Sequence, residues 1–239
     1  MPLIGCDCPT CTSTDPRDKR LRVSAEFRQG GQSVVVDAGP DFRQQMLSNR
    51  IARLDGLLLT HEHNDHVAGL DDLRPFCFKQ KSSIDVFGLP RVLTEIKKRF
   101  AYAFSDNPYP GVPRLELQEI QPGVAFKVGD MEFLPIPVLH GKLPIVGYRC
   151  EDVAYLTDVK TLSEEAYGML GGLRRLVISA LQPKAHHSHL TLEDALLEIE
   201  KIGAEKSVLT HLSHNFPPTA DLVHQLPAGV EIGVDGGWV

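Results

Sequence analysis

The run Leu57-Leu58-Leu59-Thr60-His61-Glu62-His63-Asn64-Asp65-His66 carries an apolar strand straight into four side chains of metal-ligand type. On a helix, residues two apart point to nearly opposite sides, so His61 and His63 could not share an ion there. In extended or turning chain at the end of a strand, they project to one side. Imidazole and carboxylate donors of this kind suit zinc, manganese or iron. His61, His63, Asp65 and His66 exceed what one ion takes from a single loop, which predicts two metals a few ångströms apart.

The same pattern recurs further along. His140 follows the apolar run Phe133 to Val138, and Asp158 follows Val153-Ala-Tyr-Leu-Thr157. His211 follows Val208-Leu-Thr210, with His214 three residues on. Each polar residue ends an apolar run, where a loop can carry function on a rigid scaffold. A second cluster, Cys6, Cys8 and Cys11, lies near the start of the sequence, whereas Cys77 and Cys150 stand alone in apolar surroundings and read as small core residues. In a long chain of cytosolic type the cluster reads as a metal site and not as disulfides. Structural zinc takes four tetrahedral ligands, so three thiolates imply a fourth ligand elsewhere.

The 239 residues are 42% hydrophobic and 23% charged, an ordinary globular balance. Lys plus Arg number 25 against 31 Asp plus Glu, a formal charge of −6, which disfavours a protein whose main task is to neutralise nucleic-acid phosphates. No apolar run has the length of a membrane span, and no signal peptide is visible, so a cytoplasmic location is expected. Apolar segments predict strands at 33–36, 56–59, 84–87, 131–138, 145–148, 153–156, 176–179, 207–209 and 230–234. Helical patterns fall at 40–47, 92–103, 163–170, 192–202 and 219–226, with Thr191 and Asp194 as a capping pair for the fourth. The stretch 124–157 is nearly all strand, so the order is mixed. The expectation is a single α+β domain over 1–239, with sandwiched αββα layers.

Thr60-His-Glu-His-Asn-Asp-His66 resembles the signature of the metallo-β-lactamase superfamily, and Asp37, His140, Asp158 and His211 fall in that family's order. Within it, the chain looks most like the phosphoribosyl cyclic phosphate phosphodiesterase (PhnP) group. The marks are Gly5-Cys-Asp-Cys-Pro-Thr-Cys11, His140-Gly-Lys-Leu143 with Gly147-Tyr148, and Thr210-His-Leu-Ser-His-Asn-Phe216. The resemblance implies an αββα sandwich and a structural zinc on Cys6, Cys8, Cys11 and His214. It implies one catalytic metal on His61, His63 and His140, and a second on Asp65, His66 and His211, with Asp158 bridging; either zinc or manganese would serve. It implies that Asp37 orients ligand histidines, that His189 is the general acid, and that Lys142 contacts a substrate phosphate. A strand with a Gly-Thr-Gly run ahead of the cysteines also belongs to the family pattern; here Met1 stands almost directly before them. A small phosphorylated substrate and a homodimer are further expectations.

Other readings share these ligands. A ribonuclease Z-like tRNA processor would want an RNA-gripping arm and a basic run, neither of which is visible. A thioester hydrolase uses similar metals. A zinc-stabilised scaffold would have no use for seven candidate ligands.

Overall fold

Cys8 and Pro9 start the first helix, α1 (Pro9–Thr12). Cys8 caps it by accepting from Cys11 N, and Pro9 takes the first position, where a missing N–H costs nothing. In this computed structural model, which describes residues 1–239, α1 belongs to one of two compact units. That unit comprises 1–21 with 136–239, and the other comprises 22–135.

The 22–135 unit is built on a five-stranded sheet in the order β1-β2-β3-β4-β5. β1 (Ala25–Gln29) and β2 (Gln32–Val36) form an antiparallel hairpin. Its turn residues, Gly30 and Gly31, both have positive φ, a backbone that matches strand twist and that glycine adopts freely. β2 then pairs in parallel with β3 (Gly56–Leu58), β3 with β4 (Ile84–Gly88), and β4 with β5 (Leu115–Glu119). Parallel neighbours need crossovers, which α2 (Phe42–Ser48), α3 (Asn64–Val67) with α4 (Arg74–Gln80), and α5 (Pro90–Arg99) supply. Val35, Leu57, Leu59 and Val86 meet Phe42, Leu70, Leu73, Phe76 and Ile96 in one apolar cluster. Each such side chain contributes roughly 1.5–3 kcal/mol on burial, which sets the strand ends firmly.

Four elements of this unit, β1, β5, α3 and α4, have no counterpart among the segments expected from the sequence. β1 (Ala-Glu-Phe-Arg-Gln) and β5 (Leu-Glu-Leu-Gln-Glu) are the two edge strands, where charged residues are tolerated, so neither shows an apolar run. α4 opens Arg-Pro-Phe-Cys-Phe, a sequence poor in helix formers whose Pro fits the first turn. The helix expected over 92–103 is α5 at Pro90–Arg99, followed by a separate 3-10 turn at Ala101–Ala103.

β6 (Phe126–Val128) pairs with the first residues of β7 (Met131–His140), and β7 carries the chain past Pro135. The remaining strands are β8 (Leu143–Cys150), β9 (Val153–Leu156), β10 (Thr161–Leu162), β11 (Arg175–Ser179), β12 (Lys206–Thr210) and β13 (Val230–Ile232). The second sheet runs β10-β7-β8-β9-β11-β12-β13. β8 and β9 are antiparallel, whereas β9, β11, β12 and β13 are parallel neighbours. α6 (Glu164–Met169) lies between β10 and β11 in the sequence, α7 (Leu192–Ile202) joins β11 to β12, and α8 (Thr219–Leu222) precedes β13. Thr191 and Asp194 form the reciprocal cap of α7, and Gly203 ends it at φ 72.

Candidate metal sites

In the 22–135 unit, parallel pairing of Val36 with Leu58 brings the residues just beyond β2 alongside those just beyond β3. Asp37 is fully buried there. Its carboxylate accepts from Thr60 N at 2.9 Å, Thr60 Oγ1 at 2.8 Å and His66 Nδ1 at 2.7 Å. An ionised carboxylate only accepts, so His66 carries its proton on Nδ1 and presents Nε2. Thr60 has one hydroxyl proton, given to Asp37, so at 2.9 Å it accepts from His61 Nδ1, and His61 also presents Nε2. His61 Nε2 lies 3.0 Å from His63 Nδ1, near the edge of about 3.3 Å expected for two imidazoles on one tetrahedral zinc. Asp65 Oδ2 lies 3.6 Å from His66 Nε2. The chain at Ala38-Gly39 hugs this loop: Ala38 N donates to His66 O, and a Cβ on Gly39 would collide with the Asp65 carbonyl oxygen.

In the unit of 1–21 and 136–239, His140 ends β7 and donates from Nδ1 to Ser188 O at 2.8 Å, so it too presents Nε2. Asp158, beyond β9, places Oδ1 3.3 Å from His189 Nδ1 and 3.2 Å from His211 Nε2. The ligand atoms of His140, Asp158 and His189 lie within 4.8 Å of one another. His189 is thus as close to the carboxylate as His211 is, which no spacing argument anticipated. Burial, opposed by Asp158 and reinforced by His211, His140 and His186, pulls the His189 imidazole down to about 3. Lys142 is exposed on the β7–β8 turn.

Six non-glycine residues have positive φ, and three of them are Asp37, Asp158 and His211. Each stands one or two residues past a strand end in a backbone that costs of order 1 kcal/mol, a strain that clusters at functional sites. The sequence shows the residues but not this geometry. Reasoning from sequence also missed Thr60 and Ser188 as the groups that set the imidazole tautomers; Thr60 had a signal, standing directly between β3 and His61.

The same unit gathers Cys6, Cys8, Cys11 and His214, with all four ligand atoms within 4.8 Å of one another. His214 Nδ1 lies 3.3 Å from Cys6 Sγ and 3.6 Å from Cys8 Sγ. A tetrahedral zinc with Zn–S near 2.3 Å and Zn–N near 2.0 Å gives an S···N edge of about 3.5 Å, so the donor set fits that ion. The Cys11 N–H, then the His214 side chain, pulls the Cys8 thiol down to about 6, which makes it a thiolate at neutral pH. Thr10 ties the cluster's helix to Phe216 O at 2.5 Å. Cys77 and Cys150 are buried away from this set, and burial pushes the Cys77 thiol up.

Residues 32–212 match the model of the β-lactamase superfamily domain, a span that includes parts of both units. The chain belongs to that superfamily and has the metallo-β-lactamase fold. Within it the chain is a member of the PhnP family: a crystal structure of a new diphosphatase from that family superposes with a TM-score of 0.92 at 36% identity. That superposition covers 99% of this chain and 90% of the diphosphatase. An octanoyltransferase of Porphyromonas gingivalis is 43% identical over 238 residues, which are 99% of this chain but 48% of the relative, so the chain spans about half that protein's length. A ribonuclease Z of a Mycobacterium species is 26% identical over 91% of this chain and 84% of its own. Zinc-bound PqqB from Methylobacterium extorquens shares the fold, with a TM-score of 0.80 at 18% identity. No helix is long and apolar enough to cross a membrane.

Proposed function

We propose that this protein is a dinuclear-metal phosphodiesterase acting on a small cyclic phosphodiester of the phosphoribosyl type. The observation that carries the reading is the orientation of the histidines. His61, His66 and His140 each spend Nδ1 on a fixed acceptor and keep Nε2 for a ligand role, as metal-binding histidines do. In this reading His61, His63 and His140 hold one ion, Asp65, His66 and His211 hold the other, and Asp158 serves both. A zinc or manganese pair held there would supply a nucleophile at neutral pH and offset charge on the phosphoryl oxygens. Asp37 keeps His66 in register, and Ser188 does the same for His140. In the same reading His189 stands beside Asp158 as the group that would give the leaving alkoxide its proton. Lys142 contacts a substrate phosphate as a point positive charge. Cys6, Cys8, Cys11 and His214 hold a zinc that joins the start of the chain to the loop after β12. Reduced thiols in that role suit the cytoplasm.

A second reading, hydrolysis of an acyl thioester, has the octanoyltransferase relative in its favour. One screen separates them. Purified protein with manganese or zinc is offered ribose cyclic phosphates, diphosphate esters, a tRNA precursor and octanoyl thioesters. The phosphodiesterase reading expects turnover of the cyclic phosphates, lost in a His63→Ala, Asp158→Asn double variant. Turnover confined to thioesters, or indifferent to that double substitution, overturns it. Light scattering of the same preparation reports whether the protein is the expected homodimer.

A further inference from the structure

The loop that runs from β3 to α3 alternates ligand-type and other residues. His63 has extended backbone at φ −63 and ψ 146, and the His61 and His63 rings meet at 3.0 Å, whereas Glu62 between them turns to a different partner. Glu62 and Asn64 are both gripped by arginines from one helix. Arg91 Nη1 is paired with Glu62 Oε1, and Arg99 Nη1 donates to Asn64 Oδ1 at 2.9 Å. Arg91 and Arg99 lie two turns apart on α5, about 12 Å along its axis. α5 itself is anchored by Val92, Leu93 and Ile96 in the apolar cluster of the same unit. The Glu62 side chain is only 15% exposed and its Oε2 is buried with no hydrogen-bond partner, so its pairing with Arg91 through Oε1 is what holds this carboxylate in place.

We infer that Arg91 and Arg99 are positioning residues that hold His61, His63 and Asp65 in ligating geometry by fixing the residues between them. The inference rests on the metal-hydrolase reading of that loop. Each arginine acts through a residue that lies between two ligands, Arg91 through Glu62 and Arg99 through Asn64. Arg91 neutralises a buried carboxylate, so its loss lets Glu62 seek water and turns the chain at His61 and His63 with it. Arg99 holds a neutral amide at the surface, so its loss is felt less.

The test is metal affinity, measured by chelator competition well below the melting temperature, with the visible spectrum of the cobalt-loaded protein as a second readout. Arg91→Ala should weaken binding at the histidine loop roughly 10- to 100-fold and alter the cobalt spectrum. Arg91→Lys should recover part of the loss, because it keeps the charge but not the fork. Arg99→Ala, at a more exposed site, should show a smaller change in the same direction. Adding Arg91→Ala to Glu62→Gln should cost less than Arg91→Ala alone, because the buried charge is then gone. The cysteine zinc should be retained throughout. Wild-type affinity and spectrum in both alanine variants, with only the melting temperature lowered, would overturn the inference and leave the hydrolase reading intact. A wild-type protein whose metal content is unchanged by His61→Ala overturns both.

Discussion

Asp37→Asn tests whether the buried carboxylate matters through charge and tautomer and not merely through shape. Asparagine is nearly isosteric and tolerates the φ of 62 found at this position, so backbone strain does not confuse the outcome. The carboxylate accepts three hydrogen bonds, two from Thr60 and one from His66. An amide has one accepting and one donating end. With oxygen toward Thr60 N, the NH2 replaces the oxygen that accepted from Thr60 Oγ1 and His66 Nδ1; it can donate to the Thr60 hydroxyl, but it opposes the His66 Nδ1 proton unless His66 moves that proton to Nε2, the nitrogen kept for metal. With the amide reversed, two N–H groups oppose each other at Thr60, which costs about 1–3 kcal/mol in a fully buried site. The first arrangement is cheaper for folding and worse for binding. The variant should therefore lose about 1–2 kcal/mol of stability, a drop of about 2–8 °C in melting temperature for a chain of this size. Metal affinity should fall about 10- to 100-fold. Chelator competition measures the affinity, and nitrogen shifts of the His66 ring report the tautomer. Metal binding unchanged from wild type, with His66 still protonated at Nδ1, would refute the argument.

Three further outcomes follow from the same geometry. Cys8→Ser should remove one zinc per chain and lower the melting temperature more than it lowers turnover per folded molecule; the reverse would make the cysteine site catalytic. Gly39→Ala forces a Cβ against the Asp65 carbonyl and should displace the ligand loop, so metal content by elemental analysis should fall while the cysteine zinc stays; full occupancy would show that the backbone yields without consequence. His189 has a folded pKa of about 3 against an ordinary 6.5, so in the acid window the unfolded state binds the proton and the folded state does not. Its contribution in metal-free protein is therefore intact above about pH 6.5 and lost progressively below it, and wild type should lose more stability than His189→Gln in urea melts taken from about pH 7 down to pH 4. Parallel slopes would mean that His189 is not held neutral by burial.

Several features could be read directly because they are local. The apolar run before Thr60, the apolar segment at 131–138 that becomes most of β7, and the Thr191–Asp194 cap are each contained in a short stretch, and strand preference and capping chemistry act over that range. The edge strands β1 and β5 could not, because a strand with one paired side can be polar, and its membership in a sheet is decided by the neighbour it meets. The link between Cys6 and His214 spans 208 residues, and it came into view by family resemblance, with no spacing rule to predict it.

The residue types alone therefore determined the chemistry: imidazoles, carboxylates and thiolates at strand ends and in a short cluster, suited to divalent metals. Tertiary structure decided what each of those groups can do. The parallel register of β2 with β3 puts Asp37 against Thr60 and His66, the fold puts Ser188 against His140, and α5 brings Arg91 and Arg99 against the ligand loop. A tautomer or a buried charge is set by the atom opposite it, and that atom comes from a distant part of the chain, beyond the reach of any local pattern.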